Sequence, residues 1–119
     1  MSSPLGNILG IGHIVVGAGA IIAPFTAARA FQIVQTPSTV FVTRAFGSRD
    51  FALGAGIQLY GRGTPENRLA VLACGCIHGF DILQAIVSFA QGYLPFEALI
   101  VAGTVDTLLT AMCWLELST

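Results

Sequence analysis

Four apolar runs, each long enough to cross a lipid bilayer as a helix, are separated by three short polar or proline-marked breaks. An α-helix rises about 1.5 Å per residue, so the hydrocarbon layer takes about 20 residues. The runs cover about 8–30, 40–60, 69–92 and 96–117, with breaks at Gln35-Thr36-Pro37-Ser38-Thr39, at the polar stretch Gly61 to Arg68, and at Leu94-Pro95. This pattern predicts an all-α fold, a single four-transmembrane-helix bundle over residues 1–119, with both termini on one side. Little chain remains for an aqueous domain.

Composition closes off the soluble alternative. Hydrophobic residues make up 55% of the chain and charged residues 9%, against roughly 25% charged in average soluble proteins. A water-soluble body of this size needs more polar surface. The net charge is −1 and there is no lysine, so nucleic acid, which demands convergent cations, is not an expected partner. The first run has no preceding Lys or Arg and reads as a membrane helix rather than a signal peptide. The chain is thus expected to be a multi-pass integral membrane protein, its orientation unspecified by the few arginines. Cys74, Cys76 and Cys113 lie inside apolar sequence, where packing is their expected role.

The informative residues are ionisable groups at membrane depth. Asp50, Asp81 and Asp106 fall near the middle of the second, third and fourth runs, and Arg44, Arg49, His13 and His78 also sit in apolar sequence. Each charge at the bilayer centre costs about 2.5–3.5 kcal/mol on insertion scales, so several together require pairing or water. The simplest solution is an interior network in which Arg49 and Arg44 neutralise carboxylates. Helical spacing supports convergence. His78, Asp81, Gln84 and Ser88 share one face, as do Gly103, Asp106, Thr110 and Cys113, and Gly10, His13 and Gly17. Together with Arg49-Asp50 these stripes predict one central pocket.

Each group also has a plain structural alternative. Arg49-Asp50 is open to reading as an ion pair that fixes register, His13 as a core histidine bonded to a carbonyl, and Asp106 as a partner of Thr110. Glu66, Glu97 and Glu116 lie at loops or span ends and are expected to be solvated. The small-xxx-small pair Gly75 and Gly79 suits helix packing, with a homo-oligomer as the open alternative. A zinc site from His13, His78 and an Asp lacks any known ligand spacing, and phosphate-loop, nucleophile-elbow and dinucleotide motifs are absent. Neither a metal nor a cofactor is expected.

The segment Ala45-Phe46-Gly47-Ser48-Arg49-Asp50-Phe51-Ala52-Leu53-Gly54 resembles the second helix of an uncharacterised family of small four-helix membrane proteins, a domain of unknown function in bacteria and fungi. That helix opens with a similar Gly-x-Arg-Asp, an apolar pair and Gly. Asp81 and the later Gly92 are similar to the family's third helix, whereas the fourth carries Asp106 in place of a His near its start. The resemblance implies the four-helix architecture and draws attention to Arg49, Asp50 and Asp81. Fungal relatives accompany polyketide or terpenoid pathways, which implies a lipophilic substrate and, for a fungal protein, the endoplasmic reticulum.

The expected function is an intramembrane acid–base enzyme, an isomerase or cyclase acting on a lipophilic small molecule. Asp81 is the candidate acid, His78 its partner, and Arg49 with Asp50 the electrostatic frame. His13, Asp106, Arg44 and Gln84 are expected to line the substrate pocket. A buried carboxyl holds its proton at neutral pH because desolvation disfavours the anion. A small proton-coupled carrier and a non-catalytic accessory subunit are the alternatives.

Overall fold

A computed structural model of the chain describes residues 3–34 and 36–119. Every regular element among them is helical: α1 (Pro4–Ile22), α2 (Pro24–Ala30), α3 (Pro37–Leu59), α4 (Pro65–Ala90) and α5 (Phe96–Ser118). The all-α expectation holds, but there are five helices where four were expected. The first run is cut at Ala23, which leaves helical geometry with φ −124° and ψ 64° and donates its N–H to Gly19 at 2.7 Å. Pro24 follows, and its missing N–H and bulky ring stop α1 and open α2.

The other boundaries move by a few residues, each for a capping reason. Of the loop expected over 35–39, Gln35 lies outside the described residues. Thr36 is the N-cap of α3 and exchanges bonds with Thr39: Thr36 N–H to Thr39 Oγ1 at 2.7 Å, and Thr39 N–H to Thr36 Oγ1 at 3.3 Å. This reciprocal capping box, with Pro37 at the first helical position, starts α3 ahead of the apolar run. α4 likewise begins within the polar stretch, at Pro65, with Thr64 Oγ1 accepting from Asn67 N–H at 3.3 Å.

α1, α4 and α5 are long and apolar enough to cross a membrane. α3 has the length but carries Arg44, Arg49 and Asp50. The distribution of side chains fits lipid contact. Large apolar residues such as Ile8, Val15, Leu69, Phe80, Leu108 and Leu115 are more than half exposed, while the buried set is mostly small, including Ala20, Ala28, Cys74, Ala85, Ala98 and Cys113. Helices in lipid gain nothing by hiding leucine from leucine-like solvent, and pack instead through small residues that let backbones approach.

The chain divides into two compact units, Met1–Ala70 and Val71–Thr119. In the first, α1 and α3 run antiparallel along a glycine seam. A Cβ at Gly17 would lie 2.5 Å from the Gly47 carbonyl oxygen, and one at Gly54 would lie 2.5 Å from that of Gly10. Gly10 and Gly17 are seven residues apart, as are Gly47 and Gly54, so the two pairs meet in register. One step further along, Gln58 Nε2 donates to the Gly6 carbonyl at 3.3 Å. Asn67 ties the end of α3 to the following turn: its Nδ2 donates to the Ile57 carbonyl at 3.0 Å, and it is buried rather than part of an exposed polar turn.

The second unit holds α4 from Val71 onward and α5, which form a hairpin. Gly92 (φ 80°) ends α4 in a left-handed cap, with Gly92 N–H donating to Phe89 at 3.0 Å and Tyr93 N–H to Ser88 at 2.9 Å. The Phe89 and Phe96 rings, 6.0 Å apart, close the turn. Near the far end Gly75 allows close approach of α5, since a Cβ there would sit 3.1 Å from that of Cys113. Gly79 meets nothing within 4 Å, so only the first glycine of that expected pair serves the hairpin.

Candidate functional site

α4 places His78 and α5 places Asp106 near their midpoints, and the hairpin brings the two together. His78 Nδ1 donates to Asp106 Oδ1 at 2.8 Å. An ionised Asp106 offers only acceptors, and Nδ1 is then the donor of this bond. His78 is 3% exposed, and the Asp106 side chain 14%. At this depth an unpaired carboxylate is costly, and a short charge-assisted bond offsets part of that cost.

Asp81 belongs to the same cluster. One carboxylate oxygen of Asp81, one of Asp106 and a ring nitrogen of His78 all lie within 4.8 Å of one another. The i, i+3 spacing on α4 does put His78 and Asp81 on one face. Sequence spacing assigned the orienting carboxylate to Asp81, whereas the one accepting from Nδ1 is Asp106, supplied by the facing helix. Asp106 itself is held by a local bond, since Thr110 Oγ1 donates to its backbone carbonyl at 2.7 Å and leaves the carboxylate to the imidazole. Gln84, expected to extend the stripe, is exposed. The reason is rotational: three further residues carry the chain beyond the seam that α5 covers.

The remaining candidates lie in the first unit. Arg49 and Asp50 do pair. Nε and a terminal nitrogen of the guanidinium both reach Asp50 Oδ1 at 3.2 Å, with side chains 29% and 17% exposed. The guanidinium also lies over the Phe46 ring, 4.7 Å from its centroid, a cation–π contact one turn away. Arg44 takes a different role from the expected neutraliser of carboxylates. Its Nε donates to the Ile21 carbonyl at 3.2 Å, placing a cation at the negative end of α1 where Pro24 interrupts the helical bonding. His13 Nδ1 donates to the Leu9 carbonyl at 2.7 Å and the residue is buried, the geometry of the core-histidine alternative.

Among the buried polar residues, Ser3, Thr43, Asn67 and Glu116 escaped the sequence reading. Glu116, expected at a solvated span end, is 7% exposed, and Asn67 is 6% exposed. Glu116 lies three residues after Cys113, on the helix face that Cys113 buries, and that spacing was the available signal. No protein-family model, curated protein or solved structure matches the chain.

Proposed function

We propose that the protein is a multi-pass membrane enzyme that moves a proton on a lipophilic small molecule, in the manner of an isomerase or cyclase, at the His78–Asp81–Asp106 cluster. The observation that carries this reading is the 2.8 Å bond between His78 and Asp106 at the middle of an apolar hairpin. Polar groups at membrane depth are expensive, and those retained there serve function more often than architecture. Asp81 is the proton-transferring group. Asp106 is a positioning residue that fixes the His78 tautomer, so the imidazole anchors a polar atom of the substrate beside Asp81.

In this reading α3 is the fourth crossing. Arg49 and Asp50 neutralise each other within one turn and so lower the cost of carrying a charged segment through lipid. The chain then crosses the bilayer four times, with α2 as a short helix beyond the Pro24 break.

The test compares membranes holding equal amounts of the natural protein and of Asp81→Asn, incubated with an organic extract of the host and profiled by mass spectrometry. The natural protein should deplete one lipophilic compound and raise an isomer of equal mass, and Asp81→Asn should not. Asp81→Asn keeps the side chain's shape, so its melting temperature should stay within a few degrees. Identical profiles for both proteins, with depletion and an isomer in each, would remove Asp81 from the mechanism. No isomeric conversion by the natural protein would count against the enzyme itself.

A further inference from the structure

The cluster at the middle of the hairpin also has the make-up of a metal site. A ring nitrogen of His78 and one carboxylate oxygen each from Asp81 and Asp106 lie within 4.8 Å of one another. His78 and Asp81 stand three residues apart on α4 and Asp106 comes from α5, so the donors converge from two helices. Metal sites in helix bundles are built this way, with a carboxylate and a histidine at i, i+3 on one helix completed from its neighbour. His78 is buried, whereas Asp81 and Asp106 are half-buried, which leaves an ion a path in from the carboxylate side. We propose that His78, Asp81 and Asp106 hold a zinc ion, with His78 Nδ1 as its nitrogen ligand.

Geometry and charge both favour the ion. Zinc binds imidazole nitrogen and carboxylate oxygen at about 2.0–2.2 Å, which sets tetrahedral donors roughly 3.4 Å apart. The 4.8 Å limit exceeds that spacing by at most about 1.4 Å, within reach of side-chain torsions. The 2.8 Å contact from Nδ1 to Asp106 is shorter because a proton bridges the two atoms. Zinc takes the place of this proton and spreads them by about half an ångström, and the imidazole stays neutral by carrying its proton on Nε2 instead. Two ionised carboxylates then offset the charge of the dication, so the loaded cluster is neutral, as low-dielectric surroundings at membrane depth favour. Imidazole among the ligands selects zinc over magnesium and calcium, which prefer oxygen alone. The ion's binding stands on these donors, and its use in turnover rests on the acid–base reading above. Three protein ligands leave a position open for a substrate oxygen, so the substrate class is a lipophilic carbonyl compound. One Asp81 oxygen ligates and the other takes the proton from the carbon beside that carbonyl, as the C–H electron pair moves into an enolate whose oxygen zinc holds. Return of the proton to another carbon of the conjugated enolate gives an isomer of equal mass.

Metal binding and turnover are read separately. Full-length protein carrying no histidine tag is purified in detergent, stripped with chelator, and titrated with Co²⁺ as a spectroscopic probe and with Zn²⁺ as competitor. One equivalent of Co²⁺ should give visible ligand-field bands without a sulfur-to-metal charge-transfer band, and one equivalent of Zn²⁺ should abolish them where excess Mg²⁺ does not. Asp81→Asn and Asp106→Asn keep the side chains' shape and should each weaken affinity by at least about tenfold, whereas Cys74→Ser should leave it unchanged. Nitrogen-15 NMR of the zinc-loaded protein should show His78 with its proton on Nε2 and none on Nδ1. Absence of stoichiometric Co²⁺ binding by the natural protein overturns the site without reference to any variant. A charge-transfer band, or affinity lost in Cys74→Ser and kept in both aspartate variants, overturns it equally by moving the ion to sulfur. Stoichiometric zinc without isomer formation would sustain this inference while refuting the enzymatic one, and isomer formation by protein that binds no metal would do the reverse.

Discussion

Replacing Gly17 by alanine adds one methyl group to α1, and the structure fixes where it must go. The new Cβ would lie 2.5 Å from the Gly47 carbonyl oxygen, 2.5 Å from the Phe51 amide nitrogen and 2.9 Å from the Phe51 Cα. All three are backbone atoms, so no rotamer change relieves the contact. Since Cβ atoms essentially never approach closer than 3.0 Å, α1 and α3 must separate along the whole seam. Overpacking of this kind costs about 1–3 kcal/mol, against which alanine returns up to about 1 kcal/mol of helix propensity. Gly19 is the internal control: two residues away on the same helix, its Cβ would meet nothing within 4 Å. Gly19→Ala should therefore be neutral or stabilising by up to about 1 kcal/mol, and the two variants should differ by about 2 kcal/mol. Thermal unfolding in one detergent at matched concentration measures this, with on the order of 4 °C per kcal/mol. Equal melting temperatures for Gly17→Ala and Gly19→Ala would refute the close α1–α3 approach.

Three further outcomes follow from single contacts. Asn67→Ala should lower the melting temperature by the equivalent of about 1–3 kcal/mol, because it leaves the Ile57 carbonyl without its 3.0 Å donor at a buried position. Gln32 holds φ 57° at the end of α2, so Gln32→Gly should stabilise by about 1 kcal/mol in the same assay, and a loss of stability would contradict that backbone geometry. Arg49→Ala removes both the 3.2 Å pair with Asp50 and the cation–π contact with Phe46. It should cost about 1–3 kcal/mol, more than Arg62→Ala at an exposed position, and equal effects would argue against a structural pair.

What was legible in the sequence, and what was not, divides by the range of the interaction. Apolar runs of spanning length marked the helices because hydropathy is a property of the local chain. The break at 35–39 and the end of the third run near Gly92 were readable for the same reason. Pro24 was equally local, yet the unbroken hydrophobicity around it masked the helix break that its ring enforces. The pairing of Arg49 with Asp50 was evident from adjacency. The partner of His78 was not, because spacing along α4 specifies a face, and only the register of α5 against it brings Asp106 to Nδ1. The glycine seam shows the same limit. The seven-residue intervals at Gly10 and Gly17 and at Gly47 and Gly54 are visible in the chain, but their matching requires α1 and α3 to run antiparallel. Arg44 lacked a sequence signal altogether, since its acceptor, the Ile21 carbonyl, is defined by the break at Pro24.

Asp106 holds the buried His78 imidazole through the 2.8 Å bond at Nδ1, which places the ring proton on that nitrogen when Asp106 is ionised. Nitrogen-15 NMR of histidine-labelled, metal-free protein in detergent measures this directly, with the His78 signals assigned by their loss in His78→Gln. His78 should show a protonated Nδ1 and an unprotonated Nε2, a pattern lost or mixed in Asp106→Asn but retained in Asp50→Asn. A His78 carrying its proton on Nε2, or one whose tautomer is unchanged by Asp106→Asn, would contradict it.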